Sequence, residues 1–124
     1  MKVQTLPMPR LRPDEILVRV TSAGVGVWDN YEVEGGFTGF SKEQTFPYVV
    51  GSDGAGTVVA VGEKIRAFKE GDHVYGFSSF DGRTGFYTDY AVVNAEAASV
   101  LPEGLSLDTA GAMPIDAVTA LRVR

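Results

Sequence analysis

Few side chains in these 124 residues combine type and spacing in a way that could do chemistry. The most suggestive set is Trp28, Asp29 and Tyr31 with Tyr48, where an acid and two phenolic hydroxyls flank a glycine-rich break. The same residues also read as an N-capping acid among packed aromatics, and their types alone leave both readings open. The cluster Gly51-Ser52-Asp53-Gly54-Ala55-Gly56 holds part of a dinucleotide fingerprint. That fingerprint needs a preceding strand, a third glycine and a helix that meets the pyrophosphate. A strand pattern follows instead at 57–61, so the glycines read as the tight start of a strand against its neighbour. The carboxylates Asp14, Glu15, Asp53 and Glu63 have no acid–base spacing and are expected on the solvated surface. Ser78 and Ser79 have no histidine near them in sequence, and one histidine serves a triad poorly. His73, after a Gly-Asp turn, is expected at the surface.

The elements that must position these groups are mostly strands. Residues 2–6 can form a short strand, and Pro7, Pro9 and Pro13 then hold an extended approach. Residues 15–20 alternate, with Ile16, Val18 and Val20 on one face and Glu15 and Arg19 on the other, the mark of a half-buried strand. Residues 23–26 break it. A short helix is predicted over 28–34, ended by Gly35 and Gly36, and 35–46 reads as a loop. The run at 57–61 predicts a strand buried on both faces. Strands are further predicted over 73–77 and 86–93, with a loop at 78–85. Ser106 can cap a helix that starts at Leu107. Pro114 should end or kink that helix, and a second should start near Ile115 or Asp116 and run to the end of the sequence. A helix without a C-cap or polar stop there reads as a truncation.

Composition narrows the classes. Eleven basic against sixteen acidic residues give a net charge of −5, opposite to the basic footprint of a nucleic-acid binder. The chain holds no cysteine and one histidine. That excludes disulfides and thiolate sites within it, and a zinc centre needs more ligands than one histidine. No apolar run reaches the roughly 18–20 residues of a membrane span, and residues 1–10 do not read as a secretory signal. The cytoplasm is the expected compartment. Glycine is abundant, 15 of 124 residues against about 7% on average, which predicts short strands and tight turns.

The motifs in order then carry a resemblance. They run Asp14-Glu15-x-Leu17-Val18-Arg19-Val20, Ala23-Gly24-Val25-x-x-x-Asp29, and Phe46-Pro47-Tyr48-Val49-x-Gly51-Ser52-Asp53-Gly54-Ala55-Gly56-x-Val58. Val61-Gly62, Phe68-x-x-Gly71-Asp72-x-Val74-Tyr75-Gly76-Phe77 and Gly85-x-Tyr87-x-x-Tyr90 follow, and Leu101-Pro102-x-Gly104-Leu105-Ser106 and Thr119-Ala120 close the series. Over nearly its whole length the chain resembles the N-terminal, GroES-like catalytic domain of medium-chain dehydrogenases/reductases. Within them it is most similar to the zinc-free quinone oxidoreductase branch that includes zeta-crystallin.

The resemblance implies a mainly β fold: a GroES-like, partly open β-barrel with a short helix after the second strand and a helical C-terminal extension. It implies a GroES-like catalytic domain at 1–106, lacking the family's first hairpin, and at 107–124 the helical start of a linker to an absent Rossmann domain. It implies an oxidoreductase that uses NADP(H) or NAD(H), bound mostly by that second domain, with hydride passing to a quinone or another activated double bond. Zinc relatives place a catalytic cysteine at the position of Gly26 and a His-Glu pair at Ser52-Asp53, so no zinc is expected here. Asp29 matches an aspartate beside nicotinamide and substrate, and Tyr31 a tyrosine two places later; both are the implied catalytic residues. Gly26 replaces an asparagine of the cofactor contact. Thr119 matches a threonine that approaches the nicotinamide, and Tyr48 borders the same cleft. No proton donor stands out, and solvent can serve. The fragment alone is expected to be inactive. Leu107, Ala110, Met113, Ile115, Val118 and Leu121 are expected to form an exposed apolar patch that pairs copies of the chain. The alternative is a non-enzymatic GroES-like interaction module, since fold does not imply function, and a purely structural role is a third reading.

Overall fold

The structure, a computed structural model, describes residues 5–26, 49–79 and 83–123. Its centre is a five-stranded antiparallel sheet of β1 (Glu15–Ala23), β2 (Asp53–Val61), β3 (His73–Phe77), β4 (Tyr90–Asn94) and β5 (Ala98–Val100), in the order β4-β1-β2-β3-β5. Two short helices follow, α1 (Leu107–Ala110) and α2 (Pro114–Val123). No described helix is long and apolar enough to cross a membrane.

Strand β1 is the spine, because it pairs with β2 on one side and β4 on the other. Its pairing with β2 shifts twice, between Leu17 and Val18 and between Val20 and Ser22. Each shift adds twist and bends the strand, which curls the sheet around a core of Ile16, Val18, Val58, Val74, Phe86, Ala91 and Val93. Phe86 can reach that core because residue 54 is glycine. A Cβ there would sit 2.8 Å from Phe86 Cγ and 3.0 Å from the Ser22 carbonyl oxygen.

The strand expected over 73–77 is observed with those bounds, and His73 at its start is exposed as expected. Ser106 caps α1, accepting from the Thr109 amide at 3.2 Å, and α2 starts at Pro114. Other expectations need correction. Residues 5 and 6 are not in a strand. The strand expected over 57–61 begins earlier, at Asp53, and its continuously buried stretch is 53–56. Residues 86–89 are not in β4, because the Phe86 and Tyr87 amides bond to the carbonyls of Gly51 and Val50 at 3.1 and 2.9 Å. Strand β5 was not expected; three residues are too few to show a period.

Two carboxylates expected in solvent are buried, Glu15 at 4% exposure and Asp53 at 2%. A buried charge must be paired and hydrogen-bonded. Glu15 accepts from the Arg12 amide at 2.8 Å and pairs with the Arg83 guanidinium, which also donates to the Arg10 carbonyl. In the turn before β3, the Lys69 amide and ammonium donate to Asp72 and hold its carboxyl below the usual value.

The Gly54–Phe86 contact yields a test. Gly54→Ala should overpack the core and destabilise the fold by about 1–3 kcal/mol, read as a lower urea midpoint at unchanged slope. An unaltered midpoint would mean that the ring has room.

Candidate functional site

The helices are fastened to one corner of the sheet, where the end of β1, the start of β2 and the α1–α2 turn meet. Ser22 Oγ donates to the Leu107 carbonyl and accepts from the Gly111 amide at 3.2 Å. The Gly24 amide donates to the Asp53 carbonyl at 3.0 Å, and the Tyr87 hydroxyl donates to the Gly24 carbonyl at 3.2 Å. The Asp53 carboxylate then reaches the helix, with Oδ2 accepting from the Ile115 amide at 3.1 Å.

Backbone proximity makes this corner possible. A Cβ on Gly24 would collide with Asp53 Oδ1 and would lie 3.0 Å from the Gly111 carbonyl oxygen. Ala110 is fully buried at the same junction, so it leaves the apolar patch expected on the helices. Met113, Val118 and Leu121 remain exposed, at 37%, 38% and 62%.

Of the predicted catalytic and cofactor-binding residues, Gly26, Asp29, Tyr31, Tyr48 and Thr119, the structure places two. Gly26 lies half-buried just past the end of β1, two residues beyond Gly24, and Thr119 is exposed on α2, one turn past Ile115. Both therefore extend from segments that bond to Asp53. Asp29, Tyr31, Tyr48 and Trp28 lie outside the described residues, as do the predicted helix at 28–34 and loop at 35–46. The loop at 78–85 is described in part: Ser78 and Thr84 are buried with their hydroxyls 3.2 Å apart, and the Ser79 amide donates to Thr84 Oγ1 at 2.8 Å. An open groove of about 380 Å³ lies elsewhere, lined by His73, Leu101, Pro102 and Glu103. It sits at the opposite end of β3 from the residue that pairs with Asp53.

Sequence reasoning missed Asp53, Ser22 and Tyr87. One signal was available for Asp53. The helix start Met113-Pro114 offers no capping side chain, so its first free amide needs an acceptor from elsewhere.

Residues 12–103 match the alcohol dehydrogenase GroES-like domain. The chain belongs to that family. It is 32% identical over 117 residues to the quinone oxidoreductase of Mus musculus, covering 94% of this chain and 33% of the mouse protein. The crystal structure of an alcohol dehydrogenase superfamily protein from Novosphingobium aromaticivorans matches with a TM-score of 0.83 at 30% identity, over 96% of this chain and 36% of that one. The Escherichia coli quinone oxidoreductase complexed with NADPH matches with a TM-score of 0.77 at 24% identity, over 98% and 35%, a likeness of fold. The expected membership of the medium-chain dehydrogenases/reductases and the mainly β, GroES-like fold are borne out. The chain spans about a third of the length of these relatives.

The Ser22 clasp gives the site its own test. Ser22→Ala removes one acceptor and one donor and should cost about 1–3 kcal/mol. Hydrogen exchange should rise first at Gly111. Unchanged protection there would show that the clasp does not hold α1.

Proposed function

We propose that this chain is the catalytic domain, 1–106, and the start of the linker, 107–124, of a zinc-independent NAD(P)H-dependent oxidoreductase. Its Rossmann cofactor domain lies outside these residues. The substrate class is a quinone or another activated double bond, and the compartment is the cytoplasm. The observation that carries the reading is the corner at Asp53. In a chain that matches the GroES-like domain, it ties together the two segments that bear Gly26 and Thr119.

The groups present fit a nicotinamide better than a metal. Thr119 is exposed on α2, so its hydroxyl is free of burial and able to meet a carboxamide, and Gly26 puts no side chain between a ring and the backbone. Gly26 has no donor side chain, and Asp53 already spends one oxygen on the Ile115 amide. Together with the Ser52 hydroxyl these make a poor zinc set. The bound nicotinamide supplies the hydride. The chain's part is to orient: Thr119 and Gly26 would hold the ring, and Asp29, Tyr31 and Tyr48 are proposed for the cofactor and substrate contacts on their motif positions alone. Placement of this kind is where much of an oxidoreductase's rate arises. No residue stands out as a proton donor, and solvent can supply the proton.

A homo-oligomer belongs to the same reading, supported by the exposed Met113, Val118 and Leu121. Burying them between two copies would remove apolar area from water.

Purified 124-residue chain should self-associate in light scattering and leave NADPH unoxidised in the presence of a quinone. The chain joined to its cofactor domain should turn over, and Thr119→Val there should weaken NADPH binding by roughly tenfold, the value of about one hydrogen bond. Turnover by the short chain would place the cofactor site within these residues and overturn the domain assignment. A monomeric short chain would overturn the oligomer. No turnover by the joined form would favour a non-enzymatic interaction module.

A further inference from the structure

We propose that Asp53 is a positioning residue: its buried carboxylate caps α2 from the sheet and so fixes where Thr119 stands. The role given to Thr119 rests on the reading above; the capping does not.

Helix α2 begins without a cap from its own residues. The Met113 carbonyl accepts from the Ala117 amide at 2.8 Å, which makes Met113 the N-cap residue. Ser, Thr, Asp or Asn usually stands there and accepts from the second or third amide of the helix. A thioether is a weak acceptor. Pro114 follows at the first helical position and has no N–H to satisfy. The first amide in need of a partner is therefore that of Ile115, and Asp53 Oδ2 takes it at 3.1 Å. A residue 62 positions earlier in sequence does the work of a local cap.

Asp53 is well held for this. It is 2% exposed and opens β2. Its backbone pairs with Phe77 on one side and accepts from the Gly24 amide on the other. Its Oδ1 lies so near Gly24 that no side chain fits between them. A carboxylate suits the place better than an amide, because the helix N-terminus carries a partial positive charge.

Thr119 is four residues beyond Ile115, one turn along the same face and about 6 Å further on. Fixing the Ile115 amide therefore sets both the advance and the rotation of the helix at Thr119. The same residue holds Gly24, the approach to Gly26. One residue thus links the two segments proposed to meet the cofactor, its backbone carbonyl to Gly24 and its carboxylate to α2.

The test is residue-resolved hydrogen exchange on the 124-residue chain, comparing wild type with D53A and D53N. Asp53→Ala should speed exchange in residues 115–121 at least about tenfold more than at Val18 and Val92 in the sheet, and Asp53→Asn, which keeps an acceptor of the same shape, should recover most of the protection. An equal rise in sheet and helix, no rise, or an Asn variant no better than Ala overturns the proposal. If D53A does not fold, D53N against wild type decides: a smaller rise confined to α2 supports it, and a uniform or absent one overturns it. A double-mutant cycle of D53N and T119V on NADPH affinity in the whole enzyme adds a readout that loss of stability would not move. Coupling well beyond additivity is expected, and strict additivity overturns the link to Thr119. An inert Thr119→Val would instead overturn the cofactor reading, while the exchange data still decide the capping role.

Discussion

A carboxylate buried in the corner of a sheet, with a helix amide on one oxygen, is the constraint around which this chain is arranged. Burying Asp53 is costly unless its oxygens are satisfied, and the surroundings are shaped to satisfy them. Gly24 carries no side chain that would push the carboxylate aside. Ser22 clasps the turn that delivers α2, and Pro114 removes the competing first amide. The sheet must curl for these pieces to meet, and the two register shifts in β1 supply the bend. Local choices of residue and global topology thus ask for the same geometry, which is what makes a fold specific.

The corner also relates the fold to the proposed function. A GroES-like sheet by itself is a scaffold compatible with several roles. Here the two segments proposed to meet a cofactor, the stretch past β1 and helix α2, are tied to one residue rather than left to pack independently. The open groove at the far end of β3 is remote from that junction and has no part in the reading. Small displacements of reacting groups are expensive in catalysis, so a rigid junction between sheet and helix would serve the proposed function as well as the fold.

Much of this was legible in the residues, and the exceptions share a cause. Strand β3 and the Ser106 cap are local events: alternation and a capping hydroxyl decide them, and both stand where the sequence puts them. The order of motifs carried the family. Asp53 and Glu15 read as surface acids because charge is normally solvated, and their partners, Ile115 and Arg83, are more than sixty residues away. Phe86 and Tyr87 read as strand because aromatic residues favour strands, yet their amides are claimed by Val50 and Gly51. In each case a long-range partner overrode a local preference, and no window along the sequence contains it. Of the candidate site, Gly26 and Thr119 lie on the segments tied at the corner, whereas Asp29, Tyr31 and Tyr48 rest on their motif positions.

The most direct test of this account is a crystal structure of the whole enzyme with NADPH bound. The account predicts the nicotinamide carboxamide within hydrogen-bond distance of Thr119, the ring beside Gly26, and Asp53 still on the Ile115 amide. A nicotinamide seated away from that corner, for instance in the groove beside His73, would contradict it.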